Sequence, residues 1–157
     1  MAHNVMPAAS ERRQDLYERD YYTWALEQAR ALKERRIETL DWENLAEEVE
    51  DLGRSEKREL RSRLEVLLAH LLKWRFQPKR RSKSWQATIA VQRVKLRRQL
   101  RDNPGLKPAV PDLLAEAYDT ARIEVAGRLS TAEESQLPPS CPWSFEQVMA
   151  ENFQPEK

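Results

Sequence analysis

The sequence predicts an all-α protein: a helical bundle with long N-terminal helices and smaller C-terminal helices packed on it. Three observations carry this. No proline occurs between Pro7 and Pro78, and Gly53 is the one glycine in that span. Apolar residues recur in steps of three and four along every long run. The links between runs are short, which favours antiparallel neighbours.

Asp15, with Glu18 three residues on, forms a capping-box-like start for a first helix. Tyr17, Tyr21, Trp24, Ala25 and Leu32 then keep helical spacing, and the helix is expected to run to about Arg35. Asp41 can cap a second helix with Trp42, Leu45, Val49 and Leu52 as its apolar stripe, and Gly53 is placed to end it. Ser55 can cap a third and longest helix, with Glu56 favourable at its positive end. Leu60, Leu64, Leu67, Leu71 and Trp74 alternate in steps of four and three, and Val66–Leu72 is almost wholly apolar. A helix apolar all round is buried on several sides, so this one should be central. Pro78 ends it, followed by a basic connector to Lys83.

Ser84 can open a fourth helix in which Trp85, Ile89, Leu96 and Leu100 share a narrow arc, beside a row of Arg93, Arg97 and Arg101. Pro104, Pro108 and Pro111 predict an extended connector. Pro111 also suits the first turn of a fifth helix, with Leu114, Ala117, Tyr118, Ala121 and Val125 buried. Two further capping boxes, Thr131 with Glu134 and Ser144 with Gln147, open short helices, the last turning Phe145, Val148 and Met149 inward. One domain is expected over 12–153, with flexible ends at 1–11 and 154–157.

The single cysteine, Cys141, can form neither an internal disulfide nor a multi-thiolate zinc site, which points to a reducing compartment. No apolar run approaches the roughly 20 residues of a membrane span. Met1–Ser10 has no basic stretch followed by an apolar one, so no secretion signal is expected and the expected location is the cytoplasm. A net charge of +1 hides an asymmetry: residues 1–65 carry net −4, residues 66–111 net +11, and residues 112–157 net −6. A basic middle either binds a polyanion or pairs with the acidic helices of its own fold or of a partner subunit.

Three constellations could carry function. Glu43 and Glu47, with Glu50, flank the second helix's stripe, and His70 lies in the most apolar part of the third. If the third helix folds back on the second, carboxylates and imidazole would converge as in metal-binding or catalytic bundles. The paired Glu-x-x-His of diiron proteins and the H-E-x-x-H of zinc peptidases are both missing, no cofactor is predicted, and the plain reading of His70 is a packed core histidine. Next, Lys79, Arg80, Arg81 and Lys83, joined by Arg93, Arg97 and Arg101, make a basic stretch interleaved with Trp74, Phe76 and Trp85. That mixture can grip single-stranded nucleic acid, or it is core aromatics with a charged loop. Finally, Tyr17, Tyr21, Tyr22, Trp24 and Leu26 spread over more than one face of the first helix. This suggests a protein partner or self-association, such as a dimer, against the plain reading of a widely buried bundle helix. An activated thiolate at Cys141 has no base or cation that the sequence can place, and three scattered glycines build no phosphate loop.

The run from Leu16 to Pro78, containing DWENLAEE and LLAHLLKW, resembles a bacterial family, common in cyanobacteria and found in proteobacteria: domain-of-unknown-function family twenty-nine. RRSKSWQATI at 80–89, NPGLKP at 103–108 and CPWSFEQVM at 141–149 extend the likeness over nearly the whole chain. The resemblance implies an all-helical fold and carries no activity or residue roles. The expectation is therefore a non-enzymatic binding or regulatory module. The alternatives are a nucleic-acid binder using residues 73–101 and a metal protein or enzyme centred on His70.

Overall fold

Residues 15–156 are described by the structure, a computed structural model, and among them every regular element is helical. The expected flexible segment 1–11 lies outside the described residues, as does Lys157. The chain divides into two compact units, Met1–Ser55 and Glu56–Lys157.

In the first unit residues 15–19 are helical, and the chain breaks at Asp20 before α1 (Tyr21–Lys33). The sequence predicts one helix through this point with Asp15 as its cap. Instead Asp15 is itself helical, and Asp20 caps α1 by accepting a hydrogen bond from the Thr23 amide at 3.0 Å. Asp20 can do this because a short carboxylate satisfies an amide that the helix start leaves orphaned. α1 ends through Arg35, which takes a left-handed φ of 57°, while the Arg36 amide closes back on the Ala31 carbonyl at 2.9 Å. That position usually belongs to glycine. A 3-10 turn, Ile37–Thr39, then leads to α2 (Trp42–Phe76).

α2 is the largest departure from the sequence reading. It is one unbroken helix of 35 residues, passing through Gly53 and Ser55, where a stop and a new cap are expected. The boundary between the units falls within it, after Ser55. Gly53 has no positive φ, so it is an ordinary helical residue and not a cap. A lone helical glycine costs about 1 kcal/mol. The flanking Glu, Leu, Arg and Lys residues, together with ion pairs from Arg54 back to Glu50 and Asp51, are enough to carry the helix across it.

The second unit is built on the rest of α2. Leu60, Leu64, Leu67, Leu68, Leu71 and Leu72 are fully buried, as the leucine ladder predicts. Against them pack α3 (Lys83–Asp102), α4 (Val110–Ala126) and, after the exposed turn α5 (Thr131–Glu134), α6 (Phe145–Met149). α3 is capped by Ser82, not Ser84, with Ser82 Oγ accepting from the Trp85 amide. The proline-rich connector winds into a 3-10 helix, Pro104–Ala109, because Pro104 and Pro108 fix φ at a value that a tight helix also accepts. The first short capping box is Ser130 with Glu133, one residue earlier than expected, and the second is Ser144 with Gln147 as predicted. Tyr118 is buried and donates its hydroxyl to the Pro138 carbonyl at 2.7 Å. Past α6 the chain stays tied down: Phe153 packs edge-on against Trp143 and Pro155 is buried.

Candidate functional site

α1 and the start of α2 form an antiparallel hairpin inside the first unit, held by polar contacts. Glu48 accepts hydrogen bonds from the hydroxyls of Tyr17 at 2.6 Å and Tyr21 at 2.7 Å. Both phenols titrate above their usual range for that reason first, Tyr17 at about 12. At the other end Trp24 Nε1 donates to Asp41 at 3.0 Å, and buried Gln28 accepts from the Asp41 amide at 2.7 Å. Tyr17, Tyr21 and Trp24 cluster ring to ring.

That inner side buries little apolar surface. Trp24, Ala31 and Leu40 are its buried hydrophobic residues among those described. The outer side is the reverse. Trp42 is 62% exposed, Val49 65% and Leu52 70%, and with Leu45 they repeat in steps of three, four and three. On α1, Tyr21, Tyr22, Leu26 and Leu32 are each more than half exposed. The 3.6-residue turn, combined with the antiparallel pairing of Tyr17 to Glu48 and Trp24 to Asp41, sets Tyr21 and Leu32 on the same side of the hairpin as Trp42 and Val49. The sequence predicts Trp42, Val49 and Leu52 as a buried stripe. In the structure all three are exposed, and α2 continues without a turn at Gly53.

The candidate metal and catalytic residues Glu43, Glu47 and His70 all fall on α2. Glu43 and Glu47 lie in the first unit and His70 in the second, on one continuous helix and not on two facing ones. No group of three or more His, Cys, Asp or Glu side chains among the described residues is arranged to hold a metal. His70 is half-buried. Its Nδ1 bonds the Val66 carbonyl one turn back at 2.8 Å and its ring meets Trp85 edge-on. Burial lowers its pKa, so the neutral ring is favoured. Cys141 is half-buried and burial raises its thiol, the opposite of an activated thiolate.

Much of the basic stretch is engaged inside the second unit. Arg93 is buried and donates to three backbone carbonyls, Val148 at 2.8 Å, Glu151 at 3.1 Å and Phe153 at 2.7 Å. No composition or spacing signal marks such a clamp, since its acceptors are main-chain atoms over fifty residues away. Arg97 reaches the Met149 carbonyl and Glu151, and Arg101 pairs with Asp102. Arg81 stacks on Trp74 and donates to its carbonyl, while Arg75 and Lys73 lie over Phe76 and Trp85. The aromatic faces expected to meet bases thus carry the chain's own cations. Lys79, Arg80 and Lys83 are exposed, the first two beside an open cavity of about 370 Å³ that Phe76 and Arg128 also line.

A family model described as Domain of unknown function DUF29 matches residues 16–154. The chain belongs to that family. No curated protein and no solved structure matches it. The membership assigns no activity to any residue named above. No helix among the described residues is long and apolar enough to cross a membrane.

Proposed function

We propose that this DUF29 chain is a non-enzymatic binding module whose working surface is the outer face of the amino-terminal hairpin. The observation that carries the reading is the exposure of Trp42, Val49 and Leu52 at heptad-like spacing beside Tyr21 and Leu32. A helix row of that period is the surface by which helices pack on other helices. Trp42, Val49, Tyr21 and Leu32 are each more than half exposed on that one side of the hairpin. Exposed large apolar side chains gathered on one side of a fold mark interaction sites. The second unit then serves as a stable base with its own leucine core. A catalytic reading has less support: the neutral, locally bonded His70 stands apart from Glu43 and Glu47, and Cys141 is not activated.

The test is a photoreactive benzophenone residue at position 49, with position 123 as control, since Ile123 is equally exposed but lies on the second unit. Irradiation in living cells should give a discrete covalent protein adduct from position 49 and none from position 123. Adducts from neither position, or equal smears from both, would remove this reading.

A further inference from the structure

The second unit holds a cavity that the hairpin reading leaves unused. It opens where α2 and α4 both end and measures about 370 Å³. Lys79, Arg80 and Arg128 line it, and Phe76 and Pro78 supply its apolar part. Local structure fixes these cations. Pro78 opens the 3-10 turn Pro78–Arg80, which carries Lys79 and Arg80. Gln77 Nε2 donates to the Arg128 carbonyl at 3.2 Å and ties the end of α4 to that turn. Glu133 is the one acid in the lining among the described residues, and its carboxylate accepts from the Ser130 amide and hydroxyl, both at 2.9 Å. Positive charge is in excess around the opening. Residues 73–83 carry six cations and no carboxylate, while residues 122–134 carry Arg122 and Arg128 against Glu124, Glu133 and Glu134. Glu124 lies 3.8 Å from Arg128, and Lys79 and Arg80 have no carboxylate partner among the described residues. Burial lowers the Lys73 pKa, Glu124 opposes this and Arg128 adds to it, so one carboxylate serves two cations.

We infer that this cavity binds a small molecule through its phosphate group, held by Lys79, Arg80 and Arg128. Guanidinium forks match phosphate oxygens in pairs, and a lysine adds a point charge. A carboxylate has one negative charge to share among the cations. A phosphate monoester has nearly two, with several acceptor oxygens, and can engage all of them. The volume falls in the range of small-ligand pockets. A single-stranded nucleic acid would also need aromatic faces for its bases. Trp74, Phe76 and Trp85 carry Arg81, Arg75 and Lys73 instead, so the cations of the cavity are left to grip phosphate alone. The site lies wholly in the second unit and does not depend on the hairpin surface.

Isothermal titration calorimetry of the full chain with inorganic pyrophosphate, at constant ionic strength, tests this. One site per chain is expected, with a dissociation constant below about 1 mM. Arg80→Gln and Arg128→Gln should each weaken it about tenfold or more. Both side chains are exposed, so the urea midpoint without ligand should stay at the wild-type value. Arg98→Gln, at an exposed position of α3 outside the cavity, should bind as the wild type does. No saturable heat up to about 10 mM, or equal weakening by all three substitutions, would overturn the site. A single-stranded oligonucleotide that binds more tightly than pyrophosphate, and that Arg98→Gln also weakens, would overturn it too. The cations would then act as an open polyanion surface and not as a pocket.

Discussion

Gly53→Ala separates two accounts of the longest helix by the sign of its effect. If Gly53 closes one helix before another begins, it is needed for a left-handed turn, and alanine there should destabilise by more than about 1 kcal/mol. In the structure Gly53 is helical, exposed and without a positive φ, and an added Cβ would meet nothing within 4 Å. Alanine therefore meets no steric cost and removes the entropy that glycine loses on ordering. The expected effect is stabilisation by about 0.5–1 kcal/mol. Because the position lies where the two units meet in sequence, the gain is best read locally. Amide hydrogen exchange across residues 50–57 should slow by roughly two- to fivefold, the factor that such an energy gives through RT of about 0.59 kcal/mol. Faster exchange there, or a lower urea midpoint, would refute a continuous α2.

Three other substitutions and one titration follow from the same structure. Arg93→Met strands the buried Val148 carbonyl and leaves two part-buried carbonyls without this partner, so about 2–4 kcal/mol should be lost in urea titration. Exchange protection should fall first over residues 145–153. Leu64→Ala, at a site with no solvent exposure on the buried face of α2, should cost about 3–5 kcal/mol by the same assay. Arg35→Gly should stabilise the hairpin slightly, by up to about 1 kcal/mol, because glycine holds the left-handed φ without a Cβ clash. Tyr17 is raised from 10.0 to about 12 by its bond to Glu48, so the folded state binds its proton more tightly than the unfolded state. Its contribution is complete below pH 10 and is lost as pH rises toward 12. Tyrosinate absorbance should show a late-titrating phenol that Glu48→Ala returns to the ordinary range, and an unchanged titration would contradict the bond.

The leucine ladder from Leu60 to Leu72 was legible in the sequence because burial on several sides leaves an unbroken apolar period. The Ser144–Gln147 capping box was legible because both partners lie within four residues. The stop at Gly53 was misread for an energetic reason: one glycine costs less than its charged, helix-favouring neighbours return, and sequence shows the glycine more plainly than the sum. The break at Asp20 was missed because Tyr17, Tyr21 and Trp24 keep helical spacing across it. A stop at Gly53 implies a fold-back, and a fold-back makes Trp42, Val49 and Leu52 core residues. The exposed aromatic residues of α1 were visible as an excess of apolar surface. Their alignment with the α2 row needed the Tyr17–Glu48 and Trp24–Asp41 bonds, which join residues 31 and 17 positions apart. The Arg93 clamp could not be read, since main-chain acceptors leave no mark on composition.

The claim that the hairpin's outer face is covered in the working protein is tested most directly by hydroxyl-radical footprinting of Tyr22 and Trp42, with Ile123 as reference. Oxidation in intact cells is compared with oxidation of the purified chain diluted to nanomolar concentration. Tyr22 and Trp42 should react several-fold less in cells while Ile123 stays equal in both. Equal oxidation of all three residues under both conditions would mean that the face stands open to water, and the interaction reading would fail.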